Sequence, residues 1–276
     1  MGHKMRHSIA VIMTVHNRKD TTLECIRRFY ACKGLENYDV EFYMMDDGCT
    51  DGTADAVRSA FPQVIILQGD GSLFWNRGMY ECWKVAIKKH HDYYLWLNDD
   101  TMLFENALDV LFSDYAKAGE KSIISGCCCD TATHSETTYG GRDDDDKLMP
   151  MNGEIQLSVA MNGNVVLIPN CVVDKIGILD PYFQHSAGDN EYSFRAGKYG
   201  IPTYITSAFV ATCDRHDGIC KSRDARYSLK ERWHYLNTPW GDRPKEKFYL
   251  YKKYKSFGYA LKEAARAYVR CLIPVK

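Results

Sequence analysis

Three adjacent residues, Asn98-Asp99-Asp100, follow the apolar run Tyr94-Leu95-Trp96-Leu97 without a spacer. A buried strand that ends in carboxylates delivers them from a rigid support. Neighbouring carboxylates repel one another and are best accommodated by a cation or by strong hydrogen-bond donors. A hard ion such as Mg²⁺ or Mn²⁺ takes oxygen ligands and can hold a diphosphate at its remaining positions. Such an ion neutralises charge that develops on a phosphate leaving group. The same triplet also fits an exposed turn with a helix cap, since Thr101 and Asn106 follow it, and the triplet alone does not separate the two readings.

A second acidic loop, residues 46–53, reads DDGCTDGT. Asp47 is placed to accept hydrogen bonds from a base ring N–H or from ribose hydroxyls, and Gly48 allows a ligand close to the backbone. Asp51 is read as a helix cap, with Gly52 and Thr53 serving the fold. Further on, Gly69-Asp70-Gly71 turns the chain but lacks the G-x-G-x-x-G arrangement, and no G-x-x-x-x-G-K-[ST] run occurs. Those absences argue against a dinucleotide oxidoreductase and a P-loop phosphotransferase. Phe74 and Trp75, next to this turn, fit either a sugar pocket wall or core packing.

These loops need elements to hold them. Residues 9–15 form an apolar run read as a first strand, and a turn at His16-Asn17-Arg18 leads to a helix over 20–30 that Asp20 or Thr21 would cap. A strand over 40–45 and a helix over 50–60 repeat the pattern, followed by a strand over 64–67, a helix over 75–88 and a strand over 93–97. This alternation predicts a mainly parallel sheet covered on both faces. The acidic residues fall at strand ends, where open α/β sheets form ligand crevices. After a helix over 106–118 the pattern changes to a strand over 122–127, an exposed acidic run at 143–146, strand character over 158–168 broken by Gly163, a helix over 189–198 and a short strand over 203–205. Residues 1–220 are read as one catalytic domain, with a nucleotide-binding half over 1–100 and an acceptor-binding half over 101–220. Residues 221–276 are read as an extension with helices over 245–255 and 258–271.

The chain has 276 residues, 45% hydrophobic, which is enough for a substantial core. A formal net charge of -1 and no basic stripe through the first two-thirds argue against a nucleic-acid partner. The 11 cysteines have no repeated C-x-x-C spacing, and the run Cys127-Cys128-Cys129 cannot place three ligands on one tetrahedral zinc. The polar start MGHKMRHS carries no secretory pattern, and no apolar run reaches the ~18 residues of a bilayer span. Reduced thiols and a cytoplasmic placement are therefore expected.

Together the loops resemble those of family 2 inverting glycosyltransferases with the GT-A fold, over roughly residues 1–220. Thr14-Val15-His16-Asn17-Arg18 is similar to that family's first nucleotide-binding loop, T-x-Y/H-N-R. Residues 46–53 resemble its D-D-G-S-T-D-G-T signature, with Cys49 in place of serine. Residues 69–79, GDGSLFWNRGM, resemble the loop that closes over the nucleotide, in the form found in rhamnosyltransferase-like enzymes. Asn98-Asp99-Asp100 stands at the D-x-D motif, with Asn98 replacing the first Asp. Residues 188–195, GDNEYSFR, are similar to E-D-x-E/D-L-x-x-R, with Gly188 replacing the first Glu.

The resemblance implies a GT-A fold, a Rossmann-like α/β arrangement with a mostly parallel central sheet and helices on both faces. It implies a Mg²⁺ or Mn²⁺ cofactor, a UDP- or dTDP-sugar donor, and a glycan or lipid-linked saccharide acceptor. Contacts to the nucleotide sugar are then expected from Thr14, His16, Asn17, Arg18, Asp47, Gly69, Asp70, Trp75, Asn76 and Asp99. Asp100 and His216 are the expected metal ligands, although Asp214, Arg215 and Asp217 around His216 fit a local ion-pair turn equally well. Asp189 falls on the general base. At the start of a short helix its carboxylate would be kept ionised by backbone donors and would deprotonate an acceptor hydroxyl. Glu191 is read as an outer or acceptor contact, and Arg195 as its intrahelical partner four residues on.

Residues 243–276 carry ten Lys or Arg against two Glu, interspersed with aromatic residues. That mixture suits an anionic membrane surface at the inner face of the cytoplasmic membrane, or equally a helical pair packed on the catalytic domain. Two other functions use similar parts: a sugar nucleotidyltransferase and a non-catalytic sugar-nucleotide or glycan-binding module. The first more often carries an early Gly-rich loop, which 14–20 lacks, and intact Asp100 and Asp189 speak against the second.

Overall fold

The computed structural model describes residues 6–215 and 218–274. In chain order the first half comprises β1 (His7–Val15), α1 (Lys19–Tyr30), β2 (Tyr38–Asp46), α2 (Thr53–Ala60), β3 (Ile65–Gln68), α3 (Phe74–Ala86), β4 (Tyr93–Leu97), β5 (Met102–Leu103) and α4 (Ala107–Ala118). The second half comprises β6 (Ile123–Cys129), β7 (Thr137–Tyr139), β8 (Gly141–Arg142), β9 (Gln156–Ser158), β10 (Ala160–Met161), β11 (Val165–Pro169), α5 (Asn170–Ile176), α6 (Gly188–Lys198) and β12 (Thr203–Thr212). Then come α7 (Leu229–Leu236), α8 (Pro244–Tyr254) and α9 (Phe257–Leu272).

The main sheet runs β3-β2-β1-β4-β11-β6-β12-β5. Successive side chains of a strand point to opposite faces, and here both faces are covered. Ile9, Val11, Met13, Phe42, Met44, Leu95 and Leu97 meet the apolar sides of α1, α2 and α4. Ala10, Ile12, Tyr43, Met45, Tyr94 and Trp96 meet α3, α5 and α6. Two-sided burial explains why these strands read as unbroken apolar runs rather than alternating ones.

The pairs β3-β2, β2-β1 and β1-β4 are parallel, as expected. Beyond β4 the sheet is mixed, because β11 enters antiparallel between β4 and β6, while β6 and β12 pair in parallel. The strand sequence leaves β1 for β2 and β3 on one side and resumes with β4 on the other. The crevice beyond the carboxyl ends of β1 and β4 is thus a topological switch point, where open α/β sheets bind ligands. Asn17, Asp47 and Asp100 all follow directly from strands that end there.

Some local expectations shift. Helix α1 starts at Lys19, and neither Asp20 nor Thr21 caps it; Asp51 accepts from Lys19 N at 3.0 Å and from Thr53 N at 3.0 Å, so one carboxylate ties the starts of α1 and α2 together. The break expected at Gly163 is present, since β10 stops at Met161 and β11 starts at Val165, and 162–164 lines the crevice. Helices α5 and α7 had no periodic signal of sufficient length. Cys127, Cys128 and Cys129 are fully buried in β6, and all eleven cysteines are unpaired.

Helix α8 is held to α6 by buried charge. Glu191, with no exposed surface, accepts from Arg195 Nη2 at 2.6 Å, Lys253 Nζ at 2.8 Å and the Tyr254 hydroxyl. Asp180 accepts from Tyr249 at 2.9 Å and Lys253 at 3.2 Å. The expected Glu191–Arg195 pair is therefore present, but Glu191 faces α8 and serves neither acceptor nor cavity. Helix α9 packs in turn on α8 and α7.

Candidate active site

The strand-end loops enclose a cavity of ≈ 640 Å³. A larger groove of ≈ 900 Å³ lies between Asp143, α6 and α8, but it holds none of the strand-end carboxylates. We assign the site to the smaller cavity because acidic, basic and aromatic groups converge there.

On one wall Arg18 donates to Asp100 Oδ2 at 2.7 Å and to Asp99 Oδ1 at 3.3 Å. Asp99 is the more deeply buried of the two, and burial, against the pull of Arg18 and with the push of Asp100, moves its pKa up to about 7. The two carboxylates thus require positive charge, and the guanidinium supplies it. Asn98, where the family motif has Asp, accepts from the Trp75 indole at 2.7 Å. A carboxylate would accept the same bond but would add a third negative charge to this wall.

Asp189, in the first turn of α6, lines the same cavity. It accepts from Asn190 N at 2.8 Å and Gly163 N at 3.3 Å. The donors expected to keep it ionised are present, yet burial outweighs them and raises its pKa above the ordinary aspartate value. Gly163 lies flat on the Trp75 ring, where a Cβ would overlap the indole, so Trp75, Gly163 and Asp189 are positioned as a unit.

Thr14, His16, Arg18, Asp47, Trp75, Asp99, Asp100 and Asp189 line the cavity. Their roles differ from a simple row of ligand contacts. Asp47 spends its carboxylate on the backbone of the 70–74 loop, accepting from Gly71 N (2.9 Å), Leu73 N (3.2 Å) and Phe74 N (2.8 Å). Its carbonyl oxygen lies 2.6 Å from His16 Nδ1.

Four residues expected to touch the donor are not on the cavity wall. Asn17 accepts from Thr50 N at 2.7 Å and staples the first loop to the second. Gly69 sits so close to Asp47 that a Cβ would lie 2.7 Å from Asp47 Oδ1. Asp70 is exposed and accepts from Ser72 N at 2.9 Å within its own turn. Asn76 is buried and donates to the carbonyls of Asp180 (2.9 Å) and Phe183 (2.7 Å), which fixes the segment that leads into Asp189. His216 lies outside the described residues.

Gly188 now has a reason. A Cβ there would overlap Asn76 Oδ1, so the glutamate of the motif that 188–195 resembles has no room beside a buried asparagine. Gly188→Ala is expected to lower stability by about 1–3 kcal/mol through overpacking. In an Asn76→Ser background the same substitution should cost clearly less, since neighbours in contact are not additive. Denaturant melts of the four proteins measure this, and strictly additive costs would refute the explanation.

Of the aromatic rim, sequence reasoning offered Phe74 as pocket wall or core and missed His185 and Trp240. His185 packs on Trp240 (ring centroids 4.3 Å apart) and faces Phe74 (6.1 Å), and all three line the cavity. Burial, assisted by the nearby Arg18 charge, pushes the His185 pKa down to about 4, which keeps the ring neutral above that pH. Phe74 and Ala187 hold left-handed backbone, φ 58 and 68, although neither is glycine. Such strain persists only where surroundings over-determine it; Asp47 does so for Phe74. Tyr139, Asn162, Asn164 and Asn190 also line the cavity. Asn190 falls in the 188–195 motif; no motif marks His185, Trp240, Tyr139, Asn162 or Asn164, and the Gly163 break is the one local signal for them.

Among the described residues no group of three or more His, Cys, Asp or Glu side chains could hold a metal by itself. Two carboxylates on one wall do fit a hard cation that is completed by substrate phosphates and water, the usual mode for Mg²⁺.

Residues 10–132 match the family model described as Glycosyl transferase family 2. No curated protein matches the chain. Among solved structures, the mannosyltransferase PcManGT from Pyrobaculum calidifontis, in complex with GDP-Man and Mn²⁺, is similar with a TM-score of 0.57 at 13% identity, over 98% of this chain and 76% of that one. TarS of S. aureus is similar with a TM-score of 0.56 at 11% identity, over 76% of this chain and 37% of that one, so this chain spans well under half of TarS. The fold is GT-A, with a mixed sheet flanked by helices.

Proposed function

We propose that the chain is an inverting glycosyltransferase that moves a sugar from a nucleotide-diphosphate donor to a hydroxyl of a glycan or lipid-linked acceptor. The observation that carries this reading is one cavity lined by both Asp189 and the Asp99–Asp100–Arg18 group. A single displacement needs both, a base for the acceptor and a charged group for the leaving diphosphate. Asp189 takes the proton of the acceptor hydroxyl as its oxygen attacks the anomeric carbon. The bond from that carbon to the diphosphate oxygen breaks, and the electron pair leaves with the diphosphate. Inversion follows from one displacement.

Asp100 and Asp99 would hold Mg²⁺ or Mn²⁺, which when bound offsets the negative charge of the diphosphate. Arg18, drawn to the same carboxylates, is near enough to share that task. Trp75 and the Phe74–His185–Trp240 rim offer broad apolar faces for a sugar ring, with His185 neutral. UDP- and dTDP-sugars are the first donor candidates. Eleven unpaired cysteines support a reducing, cytoplasmic setting.

The test is a thermal-shift screen of UDP-, dTDP- and GDP-sugars with and without Mn²⁺, followed by a donor-hydrolysis assay on those that bind. At least one nucleotide sugar should stabilise the protein, and more so with the metal. If none stabilises it under either condition, the reading fails.

A further inference from the structure

Helix α9 buries Ala260, Glu263, Ala264, Ala267 and Cys271 against α7 and α8. At 3.6 residues per turn these positions occupy one side of the helix. The other side is not the polar face expected of a surface helix. Phe257 (62% exposed), Leu261 (55%), Val269 (51%) and Leu272 (53%) lie along it. Tyr268 stacks on Trp233 of α7 at 5.4 Å, which carries the apolar surface onto a second helix. Ile273, just past the helix end, extends the stripe lengthwise.

A row of basic residues borders this stripe. Lys262, Arg266 and Arg270 are spaced four apart, beside the apolar positions around the helix. Glu263 is the only acidic residue in α9; it is buried and pairs with Arg266 at 2.8 Å. By contrast Lys253, in the basic segment that looked membrane-directed from sequence, is committed to Asp180 and Glu191.

An apolar stripe of this extent marks an interaction surface. A second copy of the chain would bring no acidic residue of α9 to meet the basic row. An anionic bilayer satisfies both parts: aromatic and aliphatic side chains reach the acyl boundary while lysine and arginine reach lipid phosphates. No described helix is long and apolar enough to cross a membrane, so the helix must lie in the surface plane. We infer that α9, together with Trp233, is an interfacial helix that docks the protein on an anionic bilayer surface. The chain of α7 runs on to Trp240 at the cavity rim, so the docking face and the rim belong to one helical module. The inference stands apart from the catalytic reading.

Flotation of the full-length protein with phosphatidylcholine vesicles, with and without phosphatidylglycerol, tests it. The protein should float with the anionic vesicles and be released in part by high salt. Leu261→Glu combined with Leu272→Glu changes only exposed positions, and should lower the bound fraction by about tenfold or more, with an unchanged thermal melt. Lys262→Glu should weaken binding and reduce its salt sensitivity. Failure of the parent protein to float on anionic vesicles, or equal flotation of the double variant, would overturn the inference. So would a parent protein that is a dimer in solution and becomes monomeric in the double variant.

Discussion

Asp189→Asn should reduce the rate of sugar transfer by about 10²- to 10⁴-fold, the usual worth of a positioned general base. Donor binding should change little. The substitution keeps the shape and one of the two acceptor oxygens, which can hold the bond from Asn190 N or the one from Gly163 N but not both, and it removes the proton acceptor. The loss must therefore fall on kcat and not on the donor KM, the pattern of an interaction made in the transition state.

The pH dependence supplies a second readout. Burial raises the Asp189 pKa, and the base works only when deprotonated. Activity should therefore fall as pH drops through a limb placed above the ordinary aspartate range, and the limb should be absent from the residual activity of the variant. For stability the sign is opposite: a carboxyl with a raised folded pKa favours the protonated folded state. It therefore destabilises the fold at pH values above its pKa, relative to acid. Equal turnover of Asp189→Asn and the parent protein would remove Asp189 from the mechanism.

The second large effect is expected at Asp100. Asp100→Asn should remove the metal-dependent part of nucleoside diphosphate affinity, a loss on the order of 100-fold, if a cation contributes several kcal/mol at this wall. Calorimetry with UDP, dTDP and GDP in Mn²⁺ and in a chelator measures it. Arg18, which donates to Asp100 at 2.7 Å, should then contribute more to the metal-independent affinity that persists. An Asp100→Asn protein that binds diphosphates with the same metal dependence would place the cation elsewhere.

Much of this site was legible in the chain because it is local. A strand over 93–97 followed at once by the acidic triplet, and turns at 16–18 and 46–48 after apolar strands, are fixed by near neighbours. Asp99, Asp100 and Asp189 accordingly line one cavity. What each neighbouring residue does was less legible. Asp47 looked like a ligand contact, but the 70–74 amides that it accepts from come from a loop more than twenty residues away. Asn76 looked like part of a nucleotide loop, yet its partners are the carbonyls of Asp180 and Phe183.

The order of the first strands and helices, their two-sided burial and the strand-end carboxylates follow from the sequence by itself, since periodicity and adjacency determine them. Tertiary structure decided the rest. The antiparallel entry of β11 carries Gly163 to Trp75 and Asp189, and the 183–187 turn brings His185 to Trp240. Packing of α8 on α6 consumes Lys253 and leaves α9 with the exposed stripe. These outcomes depend on long-range contacts, where a side chain's partner is set by which backbone arrives beside it. The acidic triplet could not by itself choose between a capped turn and a site; Arg18 from one strand end and Asp189 from the first turn of α6 make it part of a site.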